Sequence, residues 1–220
     1  MTELDRRSFL GRGLATTGGV LASGIAIETL TAHASWAGAG RPAGDPGETG
    51  YGPLRRVPAR NTGEEFLALP AGFSYVVLGK SGTPMTDGVA TPIALDGMAA
   101  FAGTRRHTVR LIRNHEVRTT PGSPVGRVHV EGSRRYDELG VGGTTTLEVD
   151  LRSGEVLRDF VSLNGTIVNC AGGRMLHERG WLTCEETTAG PAQGWQRKHG
   201  YVFEVPLSGP GPARPRPLSR

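Results

Sequence analysis

Short apolar–polar alternations, each cut off by glycine, constrain this chain more than any other feature. The clearest pair covers residues 144–151 and 156–163, where Leu147, Val149 and Leu151 alternate with Glu148 and Asp150. A period of two sends successive side chains to opposite faces of a strand. Arg152-Ser153-Gly154-Glu155 joins the two runs, and glycine supplies the positive φ of a tight turn at no steric cost. The pattern recurs at 73–78, ended by Gly79, at 107–113 with Val109 and Leu111 on one face, and at 181–184 and 201–205. Only 63–69 and 94–101 read as brief helices. With 34 glycines and 15 prolines in 220 residues, no long amphipathic helix is sustained. Short antiparallel strands joined by glycine turns predict an all-β fold, a β-propeller in the first place and a sandwich as the alternative.

The N-terminus carries a separate signal. Asp5-Arg6-Arg7-Ser8-Phe9-Leu10-Gly11 is a twin-arginine signature, followed by a weakly apolar stretch at 13–27. Ala32-His33-Ala34 and Ser35-Trp36-Ala37 then offer two small-x-small cleavage sites. Residues 1–37 are therefore expected to be read by the twin-arginine export machinery, giving a periplasmic or extracellular protein. Gly18, Gly19, Gly24 and Glu28 leave that stretch too short and too polar for a stable membrane anchor. Residues 38–63 form a Gly/Pro-rich linker, 64–207 the folded region, and 208–220 a breaker-rich Pro/Arg tail with no closing element. About 40 to 45 residues build a propeller blade, and closure takes about four blades or more. Residues 64–207 are thus expected to be only the N-terminal part of a propeller. The formal charge is +4, and of 25 basic residues only Lys80 and Lys198 are lysine. No basic cluster is interleaved with aromatics along the sequence, which argues against nucleic acid as a partner.

The chemistry gathers in Asn169-Cys170-Ala171-Gly172-Gly173 and Trp181-Leu182-Thr183-Cys184-Glu185-Glu186. Cys170 and Cys184 are the only cysteines, and an exported protein can join such a pair in a disulfide. Alternatively, thiolate and carboxylates form a mixed metal site, sulfur suiting iron or zinc and oxygen suiting calcium. Glu185 and Glu186 are neighbours on a strand, so both meet one cluster only if the backbone bends there. Arg113-Asn114-His115-Glu116 offers donors to a metal or substrate, or else a solvated polar loop. Thr86-Asp87-Gly88 and Leu95-Asp96-Gly97-Met98 read as ordinary Asp-Gly turns in preference to calcium ligands. Gly142-Gly143-Thr144-Thr145-Thr146 reads as a glycine entry into a β-branched strand.

Together with Leu69-Pro70-Ala71-Gly72-Phe73-Ser74-Tyr75, Met85-Thr86-Asp87-Gly88 and Asp96-Gly97-Met98-Ala99-Ala100-Phe101, these motifs resemble, in order, the PhoX-type alkaline phosphatases. The resemblance covers about 69–205, and the twin-arginine signal is typical of the same family. It implies exported, calcium-dependent hydrolysis of phosphate monoesters by a β-propeller with iron and calcium in a central cluster. It further implies that Cys170 is an iron ligand in preference to a disulfide partner. Glu116, Glu185 and Glu186 would belong to the metal-binding set, with Asn114 and His115 as the catalytic candidates. Residues 174–180 stand where the family has a Thr-Pro-Trp-Gly-type segment, so the loop over the cluster is expected to differ. Family members are longer, and further carboxylate and phosphate-binding residues are expected beyond Arg220. Two other classes stay open beside the phosphatase: a non-catalytic exported propeller that binds calcium or a ligand, and a propeller segment closed by a partner chain.

Overall fold

In the computed structural model, residues 51–219 are described. The export-signal reading of 1–37 and the first part of the linker, 38–50, lie outside the described residues. Both large sheets lie within one compact unit, 56–220. The described regular structure is strand throughout, apart from two single 3-10 turns at Leu176–Glu178 and Pro191–Gln193. No helix among the described residues is long and apolar enough to cross a membrane.

The first four-stranded sheet is an antiparallel meander of β3 (Leu95–Ala102), β4 (Thr108–His115), β5 (Gly142–Asp150) and β6 (Val156–Thr166). The second runs β7 (Asn169–Arg174), β8 (Gly180–Glu185), β9 (Val202–Pro206) and β10 (Pro217–Ser219), also antiparallel and in chain order. A two-stranded ribbon joins β1 (Arg55–Val57) to β2 (Leu67–Leu69). The fold is therefore all-β, with three antiparallel sheets, none closed on itself.

The strongest alternation becomes the strongest hairpin. Between β5 and β6, Gly154 at φ 73° donates its backbone N–H to Asp150, and Asp150 donates to Glu155. Both faces of β5 are nevertheless buried, so Glu148, which alternates with Leu147 and Val149, lies inside as they do. It stands opposite Arg110 on β4 and pairs with it at 3.4 Å.

Four local expectations are corrected. Residues 94–101 are strand, not helix, because β3 pairs with β4 along its length and leaves its ladder groups satisfied there. At 63–69 the chain ends in the strand β2. The run at 73–78 is not in a ladder: Val77 instead exchanges two hydrogen bonds with the Asn61 side chain, at 2.8 and 2.9 Å. The Pro/Arg tail, expected to lack a closing element, supplies β10 as the outer strand beside β9. Its proline stands first in that edge strand, where a missing donor costs least.

The largest of three apolar clusters lies between the two large sheets. Phe101, Ile112, Leu163, Trp181, Phe203 and Val205 pack there with Tyr136. Each such side chain contributes about 1.5–3 kcal/mol on burial. The chain leaves β6 for β7 through Ile167 and Val168, and Val168 adopts φ 50°, a left-handed value rarely taken by a β-branched residue. Asn169 anchors that corner, accepting from Thr166 Oγ1 at 2.6 Å and donating to Thr183 Oγ1 at 2.9 Å.

Candidate metal centre

Two strand irregularities face each other where the sheets meet. On β3, Leu95 pairs with His115 and Met98 with Arg113, so three steps along β3 match two along β4. On β7, Asn169 pairs with Glu185 and Gly172 with Thr183, again three steps against two. Each is a bulge carrying one extra residue, a device that turns a side chain out of the pleat. Asp96 lies in the first bulge and Cys170 in the second. Gly97 permits the approach, since a Cβ there would stand 2.6 Å from the Cys170 carbonyl oxygen and 3.3 Å from Ala171 Cα.

Asn114 ties the two sheets together at this point. Its Nδ2 donates to the carbonyls of Cys170 at 2.8 Å and Ala171 at 2.9 Å, and its Oδ1 accepts from Trp181 Nε1 at 2.9 Å. The bulged carbonyls of β7 are thus satisfied by a side chain of β4, and every polar atom of this buried amide is used. The result is a group of three half-buried donors, Asp96, Glu116 and Cys170, whose ligand atoms lie within 4.8 Å of one another. A cation bonded at about 2.4 Å spans ligand atoms up to about 5 Å apart, so the spacing suits one. The donor set is chemically mixed, one soft sulfur and two hard carboxylates.

Electrostatics point the same way. The Cys170 thiol is pushed up to about 11, first by burial, then by the hydrogen bond and charge of Asp96 and the charges of Glu116 and Glu186. Glu116 is raised above its usual value by burial and by Asp96, with Arg118 pulling in the opposite direction. Negative groups here disfavour one another, and a cation would reverse the sign of that penalty. Arg118 supplies part of the balance from the rim. It pairs with Glu116 and reaches Glu186 Oε2 at 2.6 Å.

The other residues singled out from sequence lie apart from this group. Glu185 is buried in a web of its own, accepting from the backbone N–H groups of Ile167, Gly200 and Tyr201 at 3.0, 2.7 and 3.1 Å, and its Oε1 lies 2.7 Å from His199 Nδ1. Asp137 Oδ2 faces the other ring nitrogen at 3.3 Å. Glu186, one residue on, points the opposite way and is exposed, as expected for adjacent strand residues. His115 is fully buried, with Nδ1 2.9 Å from the Ile93 carbonyl and Nε2 2.8 Å from Thr145 Oγ1. Burial lowers its value to about 4, the Ile93 carbonyl opposing and the Arg113 charge assisting. Gly172 packs on Trp181 and the Leu182 carbonyl, whereas a side chain at Gly173 would enter open space. Both cysteines carry free thiols. Asp96 is the residue that sequence reasoning passed over. The Asp-Gly pair was visible, but a bulge and a turn share that signature, and only the β4 ladder tells them apart.

The family model described as alkaline phosphatase PhoX matches residues 49–220. Comparison with curated proteins and with solved structures gave no match. With both large sheets and all three donors inside the matched region, the chain belongs to the PhoX alkaline phosphatase family.

Proposed function

We propose that this chain is a metal-dependent phosphatase that hydrolyses phosphate monoesters outside the cytoplasm. The observation that carries the reading is the convergence of Asp96, Glu116 and Cys170 within a chain of the PhoX family. In this proposal the three residues hold iron and calcium, the thiol on the iron side and the carboxylates on the calcium side. Such cations, when bound, neutralise phosphoryl oxygens and activate the attacking oxygen.

The chain's own residues have defined parts in that chemistry. Arg118 stands at the rim, where its planar fork suits a phosphoryl oxygen once Glu186 releases it. Asn114 fixes the bulge that aims Cys170 and is a positioning residue. His115 and Glu185, sequestered by their own hydrogen bonds, support the walls. Phosphoryl transfer demands positioning and charge stabilisation above all, so displacement of a bulge costs rate as surely as loss of a donor.

Each large sheet is a four-stranded meander, the make-up of a propeller blade. We read them as the first blades of a propeller, with the metal site where they meet. The twin-arginine signature supports export to the periplasm or beyond. The test is hydrolysis of a chromogenic phosphate monoester by the purified chain, with calcium and then with chelator. Chelator-sensitive turnover that disappears in Asp96→Asn and Cys170→Ala is expected. Turnover that survives both substitutions, or a folded chain that binds calcium without turnover, would overturn the reading, the latter in favour of a non-catalytic calcium-binding propeller.

A further inference from the structure

Four arginines from three distant stretches of the sequence converge on one cleft that shares no residue with the metal centre. Arg134, Arg135, Arg197 and Arg214 line a cavity of about 530 Å³, together with Tyr136 and a single carboxylate, Glu138. Four guanidinium groups against one carboxylate leave an excess of three positive charges in a recess. Glu138 is spent on Arg135, whose Nε lies 3.5 Å from Oε2 and whose Nη1 donates to the Glu138 carbonyl at 2.9 Å. That Nε is buried and makes no hydrogen bond. Among the described residues, Arg134, Arg197 and Arg214 form no ion pair.

The floor of the cleft is rigid. Tyr136 is almost completely buried, packs edge-on against Phe203 at 5.0 Å, and donates its hydroxyl to the Lys198 carbonyl at 2.8 Å. The Arg197 guanidinium stands over that ring, 5.4 Å from its centre, and the Arg197 N–H is held by Asp137 Oδ2 at 2.9 Å. Stacking on an aromatic face orients a guanidinium and leaves its edge donors free. Like charges are gathered here, and Glu138, paired with Arg135, offsets only one of the four. The site therefore lowers its own repulsion by taking an anion from solution, and a stacked arginine loses little further freedom in binding one.

We propose that this cleft binds a chain of linked phosphoryl groups, such as an oligophosphate or the phosphate tail of a nucleotide. Guanidinium forks match phosphoryl oxygens in pairs. A single phosphate carries about two negative charges and would leave both charge and volume unfilled. Two or three linked phosphoryl groups bring enough charge to offset the excess and occupy more of the cleft.

The experiment is titration calorimetry on the whole chain with chelator present, so that cation-mediated binding at Asp96, Glu116 and Cys170 is silent. Tripolyphosphate, a nucleoside triphosphate and orthophosphate are compared at matched ionic strength. Tripolyphosphate is expected to bind at least tenfold tighter than orthophosphate, to weaken at least tenfold in the triple variant R134Q/R197Q/R214Q, and to be unaffected by Cys170→Ala. Glu138→Gln, which removes the only carboxylate, is expected to tighten binding severalfold, and it serves if the triple variant does not fold. A nucleoside triphosphate that binds tighter than tripolyphosphate identifies the nucleotide tail as the source, and the reverse identifies inorganic oligophosphate. Equal affinity for orthophosphate, a triple variant that binds like the parent, or a Glu138→Gln variant with no gain each overturns the proposal.

Discussion

Glu148 shows how much one buried charge can hold. Its side chain and that of Arg110 are 7% and 9% exposed, and the pair spans the centre of the first sheet. Burial works to raise the Glu148 value, but the Thr104 hydroxyl and amide and the Arg110 guanidinium outweigh it, and the net value is lowered. A carboxylate lowered in the folded state adds stability that is fully present above its ordinary value of 4.5. That stability is lost as the pH falls through the folded value. Glu148→Gln should cost about 3–5 kcal/mol near neutrality, because it strands Arg110. Melting temperatures of parent and variant should converge as the pH falls below the ordinary carboxylate range. Asn114 is the second such residue. Asn114→Asp exchanges a double donor for an acceptor facing the carbonyls of Cys170 and Ala171, and two unsatisfied groups cost about 1–3 kcal/mol each. Thermal unfolding should show that loss, and calcium affinity should fall with it, whereas a change on the surface would leave affinity alone.

At the level of elements, the site depends on two bulges held in contact. Gly97→Ala inserts a methyl group 2.6 Å from the Cys170 carbonyl oxygen, and backbone does not yield as a flexible side chain does. The expected cost is about 1–3 kcal/mol of stability. Separation of Asp96 from Cys170 should also weaken metal binding, read by calorimetry against Gly173→Ala, where the added methyl group meets nothing. The hairpin offers a different case. Gly154 at φ 73° also lies against Val76, where a Cβ would approach to 2.8 Å. Gly154→Ala therefore combines turn strain with a clash and should destabilise by about 1 kcal/mol or more, seen as a lower denaturation midpoint with an unchanged slope.

For the molecule as a whole, the two meanders share an apolar cluster, and the candidate metal centre lies at their junction. A cation bound only by the folded form should raise the melting temperature as its concentration rises. At one hundred times the dissociation constant the gain is about 2.7 kcal/mol, and Asp96→Asn should abolish it. The sequence by itself determined the all-β class, the 144–163 hairpin and the family motifs, because a period of two and a glycine turn are local properties. It also marked Glu116 and Cys170 through the motifs around them. Asp96 was hidden, since an Asp-Gly pair in a bulge looks like one in a turn until the partner strand sets the register. Glu185 and Glu186 were inseparable for a related reason: strand geometry says that neighbours diverge, but not which of them meets Ile167, Gly200 and Tyr201. The arginine cleft was wholly invisible, its members lying between 134 and 214. Tertiary structure alone decided which charges meet, because long-range packing brings those positions together and no local pattern records the distance between them.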